Sequence, residues 1–211
     1  LTDRHDVQIT FGPSQRIARQ ISAGMGVDIL ILADPDWFVA IEESTPLGDK
    51  SVFLGNTLVV VGESPLPDAE RIGIGAHGVP VGDYARAALA RWGLMDSLGD
   101  KLISTTSASA LVANVLAGHL DAAIVYESDA VSNPELTLQM RVPAGTHDPI
   151  VYTLAITTQG TQNPSAVALF RELKSDTMLA TLVRHGFSPP EQIEKTAVKP
   201  KALFIDTQAV V

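Results

Sequence analysis

Three stretches of the 211-residue sequence put hydroxyls and free backbone amides where a helix is expected to begin. Phe11-Gly12-Pro13-Ser14-Gln15 joins a strand-like run to a helical one, Val79-Pro80-Val81-Gly82 sets a proline at a helix start, and residues 104–109 read Ser-Thr-Thr-Ser-Ala-Ser ahead of another helix. The first amides of a helix have no intrahelical acceptor and lie at the positive end of its dipole, so they attract anions without using a charged side chain. Ser14 sits at or near an N-cap and can offer its hydroxyl; Val81 offers the first amide behind a residue that has none. Tyr126 closes the apolar strand Ala122–Tyr126, where a phenol can donate from the floor of a cleft. Each feature also has a plain structural reading: a capping serine, a proline-started helix, a tyrosine at a sheet edge. Three converging helix starts argue for an anion more strongly than any one of them.

Other chemistries find less support. Gly73-Ile74-Gly75-Ala76-His77-Gly78 matches G-x-G-x-x-G, yet Pro80 follows so closely that the glycines precede the expected helix rather than open it, and no clear strand-end acid follows about twenty residues on. The five histidines, His5, His77, His119, His147 and His185, have no metal-ligand spacing. No serine lies in a G-x-S-x-G elbow, and no phosphate-loop lysine motif occurs, which leaves hydrolase readings unsupported. Asp34 and Asp36, after an apolar strand, fit turn and capping duty better than a catalytic pair.

Short β-branched runs alternate with amphipathic stretches through the whole chain. Strands are expected at Val7–Phe11, Val27–Ala33, Ser51–Val61, Arg71–Ala76, Ala122–Tyr126, Leu136–Val142 and Ile150–Thr158. Helices are expected at 15–23, 36–43, 84–94, 111–117, 164–175 and 177–185. This rhythm predicts an α/β fold with mixed, mostly parallel sheets. Thr57–Val61 and Ile150–Thr158 are long and apolar and suit paired crossovers between two lobes, which assigns residues 1–60 plus 150–211 to lobe one and 61–149 to lobe two. A single doubly wound sheet is the alternative. In either architecture ligands sit beyond the carboxyl ends of strands.

Hydrophobic residues make up 45% and charged residues 18%, as in ordinary soluble domains. The net charge of −9 repels nucleic acid and anionic membranes. It does not exclude a small anion, because contact dipoles act locally while distant charges are screened within about 8–10 Å. There is no cysteine, hence no disulfide, thiol nucleophile or thiolate metal site. The sequence opens on Leu1 without a basic-then-apolar leader, as expected of a processed, trimmed or incomplete N-terminus. No apolar run approaches the ~20 residues of a membrane span.

Several segments, taken in order, together resemble the periplasmic molybdate-binding proteins of bacterial ABC importers. They are Ser14-Gln15-Arg16-Ile17-Ala18-Arg19-Gln20-Ile21, Ala33-Asp34-Pro35-Asp36-Trp37, Leu54-Gly55-Asn56-Thr57-Leu58-Val59-Val60-Val61, Val79-Pro80-Val81-Gly82-Asp83-Tyr84-Ala85, Ile124-Val125-Tyr126-Glu127-Ser128-Asp129-Ala130, and Gly186-Phe187. The resemblance implies a two-lobed type II periplasmic-binding fold that holds a tetrahedral oxyanion, molybdate or tungstate, with neutral donors alone. Ser14 then corresponds to a binding serine, Val81 and Ala108 to backbone N–H donors, and Tyr126 to a hydroxyl donor. It further implies a periplasmic, non-enzymatic monomer without a cofactor, partnered by an ABC permease. A cytoplasmic or regulatory oxyanion sensor of the same fold, or a member that no longer binds, is the alternative.

The sequence departs from the family at both ends. The family's first strand, the turn with a second binding serine and the first helix have no counterpart ahead of Val7. Beyond Gly186-Phe187, Lys201-Ala202-Leu203-Phe204-Ile205-Asp206 reads as an extra strand. The expectation is that Ala202–Ile205 fills the vacant strand position, bringing Thr207 toward the anion; a loose extension is the alternative.

Overall fold

The computed structural model describes residues 7–12, 14–33 and 36–196. Helix α1 (Ser14–Ser22) buries Ala18 and Ile21, three residues apart on one face. Strand β1 (Ile29–Ala33) follows, then α2 (Asp36–Glu42) and the long β2 (Leu47–Asn56). Thr57 alone separates β2 from β3 (Leu58–Gly62). Next come β4 (Ile72–Gly75), α3 (Pro80–Arg91), the short α4 (Met95–Leu98), β5 (Leu102–Thr105), α5 (Ala108–Leu116), β6 (Ala122–Tyr126), α6 (Glu127–Ser132) and β7 (Leu138–Arg141). Strand β8 (Ile150–Thr157) precedes α7 (Pro164–Leu173), α8 (Asp176–Arg184) and α9 (Pro190–Thr196).

The described strands form two sheets. The first has the order β1-β8-β2, the second β5-β4-β6-β3-β7. Leu58, Val59, Val60 and Val61 of β3 are all fully buried, as expected of a β-branched strand with a neighbour on each side and helices over its faces. They join Ile72, Ile74, Leu89, Leu111 and residues 122–125 in the largest apolar cluster. The first sheet is covered on one face by α1 and α2, through Ile21, Leu30, Leu32, Phe38 and Ile41. Phe53, Leu154, Ile156 and Phe170 make its other cluster, with α7. Helix α7 is started by Asn163, whose Oδ1 accepts the Ser165 N–H at 3.1 Å, with proline as its first residue.

The expectation of mostly parallel sheets is corrected. Among the described strands β4 runs parallel to β5 and to β6, whereas β1 with β8, β2 with β8, β3 with β6 and β3 with β7 are antiparallel. The α/β rhythm reports direction only where a helix carries the chain back over its own sheet, as between β4 and β6. The segments that pass from one sheet to the other, β2 to β3 and β7 to β8, enter against the direction of their neighbours. The strand expected at Val7–Phe11 is also corrected: residues 7–12 form no regular element, and Ile9 and Phe11 are 51% and 81% exposed. No described strand lies beside them, so they gain no ladder of backbone hydrogen bonds; the Phe11 carbonyl instead accepts from Arg16 Nη2 at 2.8 Å. The strand expected at Ala202–Ile205, its companion Thr207, and Asp34 lie outside the described residues.

Candidate functional site

Strands β4, β5 and β6 run the same way and leave the second sheet at one edge. Gly75 pairs with Thr105, and Gly73 with Ala123, so Gly75, Thr105 and the end of β6 lie side by side. Each strand feeds a helix: β4 leads to α3, β5 to α5, and β6 directly to α6. Val81, Ala108 and Tyr126 are thereby brought to one edge.

The turn into α3 is tight. A Cβ on Gly82 would meet the Gly75 carbonyl oxygen at 2.1 Å, so this helix start lies on the end of β4 with no room for a side chain between them. Arg86 Nη1 donates to that carbonyl at 2.8 Å, and Gly78, at φ +77°, donates its N–H to Asp83 Oδ1 at 3.2 Å. The Gly82 and Asp83 amides return to the Val79 carbonyl at 2.8 and 3.1 Å. Pro80 has no amide hydrogen, and Val81 N–H has no acceptor among the described residues. At α5, Ser107 Oγ accepts the Ala110 N–H at 3.1 Å and lies 3.1 Å from Ser109 Oγ. The Ala108 and Ser109 amides have no acceptor among the described residues. Two helix starts thus present free N–H groups from one sheet edge, the arrangement that stabilises an anion through backbone dipoles.

Tyr126 pairs with Leu58 and donates its backbone N–H to Asp129 Oδ2 at 3.4 Å. Burial raises its phenol pKa, with Tyr152, Tyr84, Asp129 and Asp83 adding to the shift, so the hydroxyl stays protonated and remains a donor. Burial likewise raises the Asp129 carboxyl, against the opposing pull of the Tyr126 N–H.

Ser14 is the first residue of α1, half-buried, and its Oγ accepts the Ala33 N–H at 3.0 Å. That bond orients the hydroxyl and leaves its proton to donate. It stands at the end of β1 in the first sheet, where Ala33 pairs with Tyr152. Through Ala33, Ser14 connects to Tyr152 of β8, whose Oη accepts from Asn56 Nδ2 at 3.4 Å. The structure therefore groups Val81, Ala108 and Tyr126 at one edge of the second sheet and places Ser14 at the end of β1, in the other sheet.

Residues that sequence reasoning passed over surround Tyr126. Asn56, buried at the end of β2, donates through Nδ2 to Ser128 Oγ at 2.8 Å and to Tyr152 Oη at 3.4 Å. A polar Asn inside the apolar run Phe53–Val61, and a Tyr inside Ile150–Thr157, were the available signals.

Among the described residues no group of three or more His, Asp or Glu is placed to hold a metal ion, and no helix is long and apolar enough to cross a membrane. His147 packs its ring 5.5 Å from that of Tyr84. Two surface grooves lie elsewhere, one around Arg71, Asp121 and Glu135, the other around Asp49, Phe170 and Lys174. Arg71 is paired with Asp121, and Lys174 with Asp49.

Comparison with known proteins gives a consistent result. The family model described as bacterial extracellular solute-binding protein matches residues 2–188. The chain is 29% identical over 195 residues to a putative ABC transporter substrate-binding lipoprotein of Bacillus subtilis, covering 86% of this chain and 75% of the relative. It is 29% identical over 202 residues to the molybdate-binding protein of Escherichia coli, covering 87% and 78%. In structure it is similar to the substrate-binding domain of a putative molybdenum ABC transporter from Clostridium difficile, with a TM-score of 0.76, 25% identity, and coverage of 86% of this chain and 85% of that one.

Proposed function

Because the chain belongs to the bacterial extracellular solute-binding protein family and has the type II periplasmic-binding fold, we propose that it captures molybdate or tungstate between two lobes for delivery to an ABC permease. The observation that supports this reading is the shared edge of the second sheet, to which the strand ends bring the free Val81 and Ala108 amides and Tyr126, whose buried phenol stays neutral. On this reading lobe one comprises residues 1–60 plus 150–211 and lobe two residues 61–149, the chain passing between them at Thr57 and again ahead of β8. Closure brings Ser14 from the first lobe to the donors of the second. Hydrogen bonds to a charged acceptor contribute about 1.5–3 kcal/mol each, and a fixed ring of them selects by oxyanion radius. Molybdate and tungstate are then retained together and smaller sulfate more weakly.

Capture needs no bond making, so no nucleophile or cofactor is assigned, in keeping with the binding-protein descriptions of the relatives. The working form is a monomer outside the cytoplasmic membrane, loaded there and presented to the permease.

Isothermal titration of the anion-free protein with molybdate, tungstate, sulfate and phosphate tests the reading. Molybdate and tungstate should bind saturably, and Ser14→Ala and Tyr126→Phe should each weaken them about ten- to hundredfold. An absence of heat with every oxyanion would overturn it.

A further inference from the structure

Asn56 ends β2 at 8% exposure, and among the described residues every hydrogen bond of its side chain goes to the junction between the sheets. Its Oδ1 accepts the Thr57 N–H at 2.9 Å, while the Thr57 carbonyl accepts the Glu127 N–H at 2.8 Å. Thr57, the single residue between β2 and β3, is thus held on one side by Asn56 and on the other by the first residue of α6. Through Nδ2 the same side chain reaches Ser128, two residues beyond Tyr126, and Tyr152 on the other crossover.

The turn that carries Tyr126 has little freedom left. Gly186, at φ +84°, packs onto it so closely that a Cβ would meet the Glu127 carbonyl oxygen and the Ser128 Cα at 2.8 Å. The Tyr152 ring stands edge-on to Phe187, 5.7 Å between centroids. A buried amide between Leu54 and Leu58 is costly unless its donors and acceptor are matched, and here they are matched to groups that fix this turn.

Building on the oxyanion-capture reading, we infer that Asn56 is a positioning residue: it holds the β6–α6 turn against both crossovers, so that closure presents the Tyr126 hydroxyl to the anion in one orientation. Its effect on binding therefore runs through Tyr126, and the two residues are coupled rather than independent.

A double-mutant cycle tests this, with molybdate as the titrant on the full chain. Asn56→Leu should weaken binding about tenfold in the wild-type background and no more than about twofold in the Tyr126→Phe background. Thr157→Val is the control for a merely structural loss. Thr157 is fully buried and bonds the Val27 carbonyl and the Gly160 N–H at 2.9 Å, so this change should lower the thermal midpoint while leaving molybdate affinity within about twofold. If Asn56→Leu does not fold, Ser128→Ala removes only one of the two Nδ2 bonds and carries the same cycle, with about threefold weakening expected. Equal weakening by Asn56→Leu in both backgrounds would overturn the assignment. A wild-type chain that binds neither molybdate nor tungstate would instead bring down the capture reading, and this assignment with it.

Discussion

The two sheets are built to different standards. In the second, β3, β4 and β6 each have a neighbour on both sides, their aliphatic side chains are at most 1% exposed, and three helices start from one edge. In the first, β1 has β8 on one side and no described strand on the other, Ile31 is 45% exposed, and residues 7–12 form no regular element. Three of the proposed donors stand on the dense sheet and one on the open sheet. Donors fixed by a close-packed core bind without paying an ordering cost at the moment of capture, so on this reading the second sheet sets the geometry and the first adds Ser14 on closure.

The most direct way to break that contrast is to truncate one isoleucine in each sheet. Ile124→Ala in β6, where the side chain is fully buried, should lower unfolding free energy by about 2–5 kcal/mol in urea titrations. Ile31→Ala in β1 should cost under about 1 kcal/mol, because much of that side chain already meets water. Equal losses would mean that the open edge is covered in solution.

A glycine pair sharpens the comparison at the site itself. The Gly82→Ala change drives a methyl into the Gly75 carbonyl, and overpacking of this kind costs about 1–3 kcal/mol. It should also weaken molybdate binding by shifting the Val81 amide. Gly26→Ala in the first half meets nothing within 4 Å and should stay within about 0.5 kcal/mol of wild type in the same unfolding assay.

The same difference governs what the sequence could reveal. Ala122–Tyr126 was legible to the residue because a run of buried apolar residues closed by a tyrosine has few alternatives, and the proline that marked a helix start is the first residue of α3, although the helical pattern was read only from 84. Residues 51–61 read as one apolar run with a crossover expected in Thr57–Val61; the register with β8 and β6 shows that the chain leaves one sheet and enters the other at Thr57. Val7–Phe11 has strand composition, but a strand exists by pairing, and composition does not supply a partner. Ser14, Val81 and Tyr126 could be named because helix starts and strand ends have local signatures. Ala108 came only with the family resemblance, having no side chain to signal a role. Asn56, Ser128 and Tyr152 gave at most a polar residue in an apolar run as a signal, because the bonds that join them link residues 72 and 96 positions apart in the chain.

A smaller effect is expected from the cap of α5. Replacing Ser107 with alanine removes the acceptor of the Ala110 N–H, a loss of about 1 kcal/mol by denaturant unfolding. Molybdate affinity should fall a few-fold with it, because the Ala108 amide is held less firmly. An unchanged affinity would take α5 out of the site and weaken the claim that the second sheet carries most of the donors.

The smallest effect separates the two ends of β6. Beyond its carboxyl end, burial raises the Asp129 carboxyl, so the folded chain keeps that proton over a pH interval in which the unfolded chain has released it. The stability it contributes is full below the ordinary carboxylate range, near pH 4, and is lost as pH rises through the raised value. Before its amino end, the hydrogen bond from the Arg71 guanidinium lowers the Asp121 carboxyl, and the sign reverses: its contribution is present above the ordinary range and lost as pH falls through the lowered value. Thermal unfolding between about pH 3 and pH 7 should therefore show Asp129→Asn gaining on wild type as pH rises, and Asp121→Asn losing ground over the same rise, the latter weakly because that pair is exposed and screened. Parallel trends in the two variants would mean that Asp129 is solvated in solution and that the surroundings of Tyr126 are wetter than their packing indicates.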